Sequence, residues 1–396
     1  MPSADPIAIL PRSQTAIVAQ GPGKLTVQHD APIPALASDM VMVKTAAVAI
    51  NAADAKMLDY SAAPGAIHGY DFAGSIVALG DGVLASGRFA VGDRVAGYVH
   101  GMYALSSATY QSSSWKLHQT ELTLPRNKLR PDVGAFAEYV GATADLLLKL
   151  PDEMTFHEAA GLGVGVATTT VGLFSELGVA SLDQLHAGNK DVQDKAEAEF
   201  VLVSGGSTAT GTRALQLLKL AGLRPIATCS PSNIDLVTRF GAEKAFDYHS
   251  PTCAADIRAY TGNQLAYAFD CISQVDTTTL CYAALGRAGG RYVALDPPRE
   301  AVTQTRAATV EPSWIMGLTL FGSKIALDGE YYRDARPQDR VFGAAAFRAV
   351  EDLLHLGLIQ PHPVKIMPGG WEGVMRGVDI IRSQPPSGYK MVYTIT

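Results

Sequence analysis

The sequence predicts an α/β protein that combines a β-rich, barrel-like domain with a doubly wound parallel sheet. Short β-prone runs separated by proline and glycine fill residues 15–50. From Phe200 onward, apolar strands alternate with helical patterns, as expected when helices cover both faces of a parallel sheet. A glycine-rich turn, Gly205–Gly211, lies between the first of these strands and its helix. This arrangement is typical of a dinucleotide-binding fold.

The first half of the chain continues the β-rich pattern through Arg94–Tyr98. Residues 100–131 then form a long excursion that is rich in serine, threonine and tyrosine, and loops of this length tend to be functional or disordered. A helical pattern covers Thr155–Gly178 and opens with the capping-box sequence Thr155-Phe156-His157-Glu158.

The second half predicts a β-α-β succession, followed by a return to the first domain. The predicted strands and helices are, in order, strand 201–205, helix 211–222, strand 225–230, helix 233–240, strand Ala245–Tyr248, helix 253–261, strand 266–272, helix 276–285, strand 291–296 and strand Leu318–Gly322. A helix at 341–356 and a strand at Lys390–Thr396 then rejoin the β-rich part. We therefore expect one domain from residues 1–165 and 325–396, a dinucleotide-binding domain from residues 166–324, and a substrate cleft between them.

Composition excludes several classes of function. The net charge of −6 and the pI near 5.8 give nucleic acid or an anionic membrane no general attraction. No apolar run approaches the roughly 18 residues of a membrane span, and the N-terminus does not resemble a secretory signal, so we expect a cytoplasmic protein. The cysteines show no CxxC spacing and are predicted to be core thiols; they are Cys229, Cys253, Cys271 and Cys281.

The glycine turn is the strongest candidate for a ligand site. A helix N-terminus offers unpaired N–H groups and a favourable dipole to a pyrophosphate. The predicted cofactor residues of the turn are Gly205, Ser207, Thr208, Ala209, Thr210 and Gly211.

The end of the second strand favours NADPH over NADH. NAD sites usually place an acidic residue there, where it binds the ribose hydroxyls and repels a 2′-phosphate. This chain instead has Cys229-Ser230-Pro231-Ser232-Asn233, and Ser230 and Asn233 carry donors that suit a phosphate. The alternative is that these two side chains only cap the following helix.

Several motifs, in chain order, resemble the medium-chain dehydrogenase/reductase superfamily, in its zinc-free, quinone-oxidoreductase-like branch. They are Asn51–Asp54, Gly69–Gly74, Val91–Val95, Gly134–Tyr139 and the glycine turn. The turn with its helix, PIATCSPSN and GRAGG are most similar to the fungal trans-acting polyketide enoyl reductases of the lovastatin type. The resemblance implies a GroES-like catalytic domain, a Rossmann domain, and cofactor contacts from Tyr248, Cys271 and Leu295.

The resemblance also bears on metal binding. Zinc members of the superfamily carry a cysteine near Asn51, a Gly-His-Glu at the position of Gly69–Asp71, and four cysteines in the excursion. Here the second motif is Gly69-Tyr70-Asp71, and no cysteine precedes Cys229. Tetrahedral zinc needs such thiolate and imidazole ligands, so we expect no metal and a hydride transfer without one.

The implied reaction is hydride delivery to the β-carbon of an α,β-unsaturated thioester, followed by protonation of the α-carbon. An enolate intermediate needs a donor to its oxygen and a proton source. Lys56 is the first candidate, and a solvated helix lysine is the alternative. Thr168 and Thr169 could donate to the nicotinamide amide or to the substrate carbonyl, unless their own helix satisfies them. We predict a structural role for His68 and a place in the cleft wall for Tyr70 and Asp71.

The implied partner is a polyketide synthase that presents a small-molecule polyketide on its acyl carrier protein. The basic cluster Arg126–Arg130 could guide an acidic carrier, or it could be a solvated surface. Three other functions stay open from the sequence: a reductase of free quinones or enones, a reductase fold reused as an isomerase or pericyclase, and a non-catalytic dinucleotide sensor. The polyketide, its chain length, the stereochemistry and the oligomeric state cannot be read from the residues.

Overall fold

The computed structural model describes residues 10–102, 130–185 and 198–395. The strands of these segments are β1 (Ser13–Gly21), β2 (Lys24–Pro32), β3 (Met40–Ala49), β4 (Asp71–Leu79), β5 (Arg94–Tyr98), β6 (Tyr139–Thr143), β7 (Leu147–Lys149), β8 (Phe200–Ser204), β9 (Arg224–Cys229), β10 (Lys244–Asp247), β11 (Tyr267–Asp270), β12 (Gly290–Ala294), β13 (Val310–Trp314), β14 (Val364–Met367) and β15 (Lys390–Thr394).

The α-helices of the described segments are α1 (Ala52–Tyr60), α2 (Asp81–Ser86), α3 (Phe156–Ala159), α4 (Gly163–Thr170), α5 (Ala209–Leu220), α6 (Ile234–Arg239), α7 (Cys253–Tyr260), α8 (Val275–Ala284), α9 (Glu300–Thr303), α10 (Pro337–His355) and α11 (Gly370–Ser383). A π-helical turn over Val171–Glu176 continues α4. None of the helices in the described segments is long and apolar enough to cross a membrane.

The first domain is a mainly antiparallel sheet with the strand order β14-β15-β3-β4-β5-β7, in which β6 also pairs with β3 and β1 pairs with β2. The C-terminal strand β15 lies antiparallel to β3, with Val392 opposite Ala49. The last described strand of the chain therefore lies in the first sheet. The boundaries at residues 165 and 325 remain a prediction.

The second domain is a six-stranded parallel sheet with the order β10-β9-β8-β11-β12-β13. The strand order reverses between β8 and β11, and ligands of open α/β sheets bind at the carboxyl ends of strands beside such a switch point. The glycine turn follows β8 at this place. The predicted fold class, a GroES-like domain combined with a Rossmann domain, is confirmed.

Two local predictions were wrong or incomplete. The strand predicted at Leu318–Gly322 is a 3₁₀ turn, Gly317–Phe321, and the last strand of the sheet is β13. Pro312 lies in the middle of β13, and a proline within a run argues against a strand in a prediction from sequence. An edge strand such as β13 tolerates proline because one of its sides has no partner strand in the described sheet. The predicted helix Thr155–Gly178 is divided into α3, α4 and the π-helical turn.

Candidate functional site

The glycine turn requires glycine at two positions. Gly205 has a φ of +73°, and a Cβ there would lie 2.6 Å from a side-chain carbon of Ile272. A Cβ on Gly211 would lie 2.4 Å from the carbonyl oxygen of Gly205. Gly205 is thus required by backbone conformation and crowding, whereas Gly211 allows the helix to approach the turn closely.

Thr208 closes the turn and begins α5. Its hydroxyl donates to the carbonyl of Gly205 at 2.9 Å and accepts from the amide of Gly211, also at 2.9 Å. The first amides of a helix have no acceptor within the helix, so those of Ala209 and Thr210 point outward from its N-terminus. The neighbouring Ser207 is buried. The turn therefore has the form of a cradle for the phosphates of a dinucleotide.

Ser230 and Asn233 lie beyond β9 and do not cap the following helix through their side chains. The Nδ2 atom of Asn233 donates to the Ser230 hydroxyl at 3.1 Å and to the Ser387 hydroxyl at 2.8 Å. Ser387 belongs to the loop before β15, so this pair links the two domains. The alternative interpretation, in which Ser230 and Asn233 only cap the following helix, is therefore wrong.

One acidic residue near this edge was not considered in the sequence analysis. Asp247 ends β10 opposite Cys229 of β9, and its carboxylate accepts from the amide of His249 at 3.0 Å and lies 2.8 Å from that ring's Nδ1. These bonds to His249 lower the pKa of Asp247. Tyr248 is 46 % exposed and packs against the His249 ring, with the centroids 4.0 Å apart. Tyr248 is thus accessible beside the end of β9.

Two further predicted cofactor residues lie at the same edge of the parallel sheet. Cys271 follows β11, and its amide donates to the carbonyl of Ser204 at 3.0 Å. Leu295 follows β12, and its amide donates to the Ser273 hydroxyl at 2.7 Å. Burial raises the pKa of the Cys271 thiol, so it stays protonated at neutral pH. The predicted cofactor residues from the glycine turn to Leu295 therefore lie around the carboxyl ends of neighbouring strands.

A buried ion pair supports the helices that carry the catalytic candidates. Asp71 accepts from the amide of Val164, at the start of α4, at 2.7 Å and from Nδ2 of Asn51, the N-cap of α1, at 3.0 Å. The ammonium of Lys390 lies 3.3 Å from the same carboxylate. Burial raises the pKa of Asp71, although Lys390 and the hydrogen bonds oppose this effect. Asp71 is thus a buried support rather than an exposed cleft wall.

The two candidate threonines of α4 differ in their hydrogen bonds. The hydroxyl of Thr169 donates to the carbonyl of Gly165 at 2.7 Å and is fully buried. The hydroxyl of Thr168 has no hydrogen bond to any residue that the structure describes, and a Cβ on Gly317 would lie 3.4 Å from it. Thr168 is therefore the one of the two with a hydroxyl available to a ligand.

Lys56 lies on α1, and its ammonium forms an ion pair with Asp296, two residues beyond the end of β12. The ammonium also lies 5.1 Å from the centroid of the Tyr331 ring, and the Tyr331 hydroxyl donates to the same carboxylate at 3.3 Å. The rings of Tyr60 and Trp314 pack edge-on against Tyr331, with centroids 5.1 and 5.5 Å away. A first-domain lysine thus reaches the cofactor edge of the parallel sheet.

The surroundings of Lys56 keep it charged. Burial lowers the pKa of the ammonium, but the hydrogen bonds and charges of Asp296 and Tyr331 raise it by more. The net pKa is therefore above the usual value. The Lys56 side chain is 38 % exposed. The alternative of a freely solvated helix lysine does not describe this group, because two partners hold it.

Near these residues lies a buried polar group formed by Asp54, His68 and Tyr70. The Oδ2 atom of Asp54 accepts from the amide of Asn51 at 2.6 Å, whereas Oδ1, both His68 ring nitrogens and the Tyr70 hydroxyl have no hydrogen-bond partner in the described segments. Burial raises the pKa of Asp54 to about 8 and lowers that of His68 to about 3. His68 is therefore neutral at physiological pH and does not serve as a cationic acid there.

The sequence analysis missed Asp296, Tyr331 and Lys390. Each of them contacts residues that are distant in sequence, so only the folded structure identifies them. Of the predicted basic cluster, Arg126 and Lys128 lie outside the described residues. Arg130 donates to Asp132 at 2.7 Å.

The described segments contain no group of three or more His, Cys, Asp or Glu side chains that could hold a metal ion. The four cysteines are free thiols in the second half of the chain. The metal-free site remains a prediction.

The fold and this site define a two-domain reductase of the alcohol-dehydrogenase type. The family models described as "Alcohol dehydrogenase GroES-like domain" and "Zinc-binding dehydrogenase" match residues 37–152 and 209–336. The trans-enoyl reductase caaB of Aspergillus niger is 58 % identical, with 100 % of both chains covered. The trans-enoyl reductase thnE of Trichoderma harzianum is 56 % identical, with 99 % of each covered. The solved CurK enoyl reductase has the same fold, with a TM-score of 0.69, 17 % identity, and 97 % of this chain and 100 % of that chain covered.

The chain therefore belongs to the medium-chain dehydrogenase/reductase superfamily and, within it, to the trans-enoyl reductases. The resemblance given by the sequence motifs is confirmed. Enoyl reductases of this superfamily use a nicotinamide cofactor.

Proposed function

We propose that the protein is an NADPH-dependent, trans-acting enoyl reductase of fungal secondary metabolism. Its substrate is an α,β-unsaturated polyketide thioester on the acyl carrier protein of a polyketide synthase that lacks a working enoyl reductase. Similarity to trans-enoyl reductases over the full chain supports the reaction class. The observation that carries the chemistry is the Lys56 ammonium, held beside Asp296 at the cofactor edge of the parallel sheet.

The residues of this edge suit enoyl reduction. A bound nicotinamide supplies the hydride for the β-carbon of the substrate. The charged Lys56 donates a hydrogen bond to the oxygen of the resulting enolate and offsets its negative charge, and the α-carbon takes its proton from solvent water. The hydroxyl of Thr168, close to Gly317, is a second candidate donor. Stabilisation of the enolate lowers the barrier because the charge develops only in the transition state.

We infer a preference for NADPH because β9 ends without an acidic residue and is followed by the Ser230 hydroxyl, which can donate to a 2′-phosphate. The amide of Asn233 orients this hydroxyl by donating to it and to Ser387. The carboxylate of Asp247, at the end of the neighbouring strand β10, is engaged by His249. Tyr248 is exposed beside these groups and suits stacking on an adenine. Turnover with NADPH and with NADH at equal concentrations tests the preference, and faster turnover with NADH contradicts it.

We also propose that catalysis needs no zinc. The ligand types of a tetrahedral zinc site are missing from the motif positions of the first domain, where Asn51 and Tyr70 occur. Full activity of protein with no zinc by elemental analysis would support this proposal. Activity that appears only on addition of zinc would contradict it.

The decisive experiment combines the protein with a polyketide synthase whose own enoyl reductase domain does not work. We expect NADPH oxidation and a shift of the product from a polyene to a reduced chain. A pantetheine enoyl thioester and a free enone are compared in parallel. Turnover of the free enone alone would favour a quinone or enone reductase, and substrate loss without NADPH oxidation would favour an isomerase or pericyclase.

Lys56→Ala tests the chemical role, with Lys24→Ala as the control. Lys24 is exposed at the start of β2. Loss of a donor to the developing oxyanion lowers kcat by about 100-fold or more, with NADPH affinity unchanged. Full activity of Lys56→Ala would remove this residue from the mechanism.

A further inference from the structure

The carboxylate of Asp296 joins two groups from different parts of the chain. It forms an ion pair with Lys56 and accepts a hydrogen bond from the Tyr331 hydroxyl at 3.3 Å. The Lys56 ammonium also lies against the Tyr331 ring, 5.1 Å from its centroid. The three side chains therefore form a closed set in which each touches the other two.

The two partners of Lys56 are held by their own surroundings. Asp296 directly follows Leu295, whose amide is tied to the Ser273 hydroxyl at 2.7 Å, so the parallel sheet fixes its position. Tyr331 is packed between the rings of Tyr60 and Trp314. Lys56 itself has a four-carbon chain with many rotamers.

The turn before Tyr331 is fitted closely against the end of α1. The Ser61 hydroxyl donates to the carboxylate of Asp328 at 3.0 Å. Gly329 has a φ of +55°, and a Cβ there would lie 2.4 Å from the Tyr60 hydroxyl. A side chain at this position would displace either the Tyr60 ring or the turn. The turn therefore places Tyr331 at a fixed distance from the helix that carries Lys56.

The set leaves part of the ammonium available to a ligand. An ammonium has three N–H donors. Asp296 takes one of them, and the Tyr331 ring lies against the ammonium. The Lys56 side chain is 38 % exposed and that of Asp296 is 32 % exposed, so the set is open to solvent rather than enclosed. At least one N–H therefore remains for a ligand.

We propose that Asp296 and Tyr331 are positioning residues for the reduction, which hold the Lys56 ammonium so that its remaining N–H meets the thioester oxygen of the substrate. The proposal rests on the proposed enoyl reductase function. Asp296 sets the direction of the ammonium and keeps it charged, while Tyr331 limits its motion from the side. No proton leaves Lys56 in this role, because the partners that orient it also stabilise its charged form.

The test measures kcat, KM for NADPH and the pH dependence of kcat for Asp296→Asn and Tyr331→Phe. We expect kcat to fall about ten- to a hundredfold in Asp296→Asn and less in Tyr331→Phe, with KM for NADPH unchanged. Asp296→Asn removes a charge that raises the pKa of Lys56, while burial still lowers it, so this pKa falls. The alkaline loss of activity therefore moves to lower pH in Asp296→Asn, which a purely structural defect would not cause.

The same loop provides matched controls. The Tyr332 hydroxyl donates to Asp334 at 2.9 Å, and both residues are exposed away from Lys56. Tyr332→Phe and Asp334→Asn are expected to keep the wild-type kcat and pH profile. Asp296→Glu, which retains the charge, is expected to recover part of the lost rate.

The outcomes separate this inference from the proposed function. If the wild-type protein does not reduce an enoyl pantetheine thioester with NADPH, the proposed function fails. If the wild type is active and Asp296→Asn keeps its kcat and pH profile, the positioning role fails and the function stands. If Asp296→Asn melts early, Tyr331→Phe decides, and an unchanged kcat in that variant overturns the proposal.

Discussion

Arg213 on α5 is a buried cation, and we predict that its replacement by methionine makes the protein more stable. The residue is 2 % exposed, and its Nε and Nη1 atoms have no hydrogen-bond partner among the described residues. Burial lowers the pKa of the guanidinium from 12.5 to about 10, and no carboxylate opposes this change. Burial lowers the pKa of His362 to about 3, and the positive charges of Lys390, Arg213 and Arg239 lower it as well, so the surroundings are already positive.

The magnitude follows from the pKa. One pKa unit corresponds to about 1.4 kcal/mol, so the folded state disfavours the charged guanidinium by roughly 3 kcal/mol. Methionine keeps an unbranched apolar chain of similar length and removes the charge. We therefore expect the free energy of unfolding to rise by about 2–3 kcal/mol, in line with the gains seen when other buried ionic groups are replaced by apolar ones.

The assay is urea unfolding followed by circular dichroism, without added cofactor, on the wild type, Arg213→Met and Arg348→Met. Arg348 is exposed on α10, so its replacement should change the free energy of unfolding by less than about 0.5 kcal/mol. An Arg213→Met variant no more stable than the wild type would refute the reasoning. Such a result would mean that the cost of burying the guanidinium charge is offset in solution.

Four further substitutions test the site. Ser230→Asp places a carboxylate where a 2′-phosphate would bind, so the ratio of kcat/KM for NADPH to that for NADH should fall at least about tenfold; an unchanged ratio would contradict the assignment. Asp54 has a folded-state pKa raised to about 8, so the folded protein holds a proton that the unfolded chain releases, and stability should fall as the pH rises from about 4 to 8. In Asp54→Asn this fall in melting temperature should be smaller, and an equal fall would count against the buried neutral acid. Thr168→Val should lower kcat with little effect on stability, whereas Thr169→Val should lower stability by about 1 kcal/mol with kcat unchanged; the reverse pattern would exchange their roles.

The parts of the fold that depend on local pattern could be predicted from the sequence. The glycine turn is recognisable in the sequence because the close approach of its helix requires a glycine at position 211. Helix α11 was missed because its glycines suggest a loop. A Cβ on Gly377 would lie 2.5 Å from the Tyr393 hydroxyl, and one on Gly373 would lie 3.0 Å from the same ring. These glycines admit a β15 side chain against the helix, which is a tertiary requirement with no local signature.

The candidate site likewise contains some residues that local motifs predict and others that they do not. Lys56 and the residues of the glycine turn belong to short motifs and were identified from them. Asp296 precedes two prolines in a segment that looks like a plain loop, and Tyr331 lies in a stretch without clear periodicity. Their relation to Lys56 arises only when the end of β12 and the 329–331 turn meet α1. Pairings between such distant segments cannot be inferred from one sequence alone.

Asp71 gives the physical reason why the two helices of the site stay in register. Its two oxygens accept from the amide of Val164, at the start of α4, and from the side chain of Asn51, at the start of α1. A buried ion pair with Lys390 is a poor source of stability, because desolvation offsets most of the attraction. Its effect here is geometric: a single carboxylate fixes the beginnings of both helices within hydrogen-bond distance. Asp71 is therefore one shared support for the helix that carries Lys56 and the helix that carries Thr168. A displacement of either helix must first break its hydrogen bond to this carboxylate.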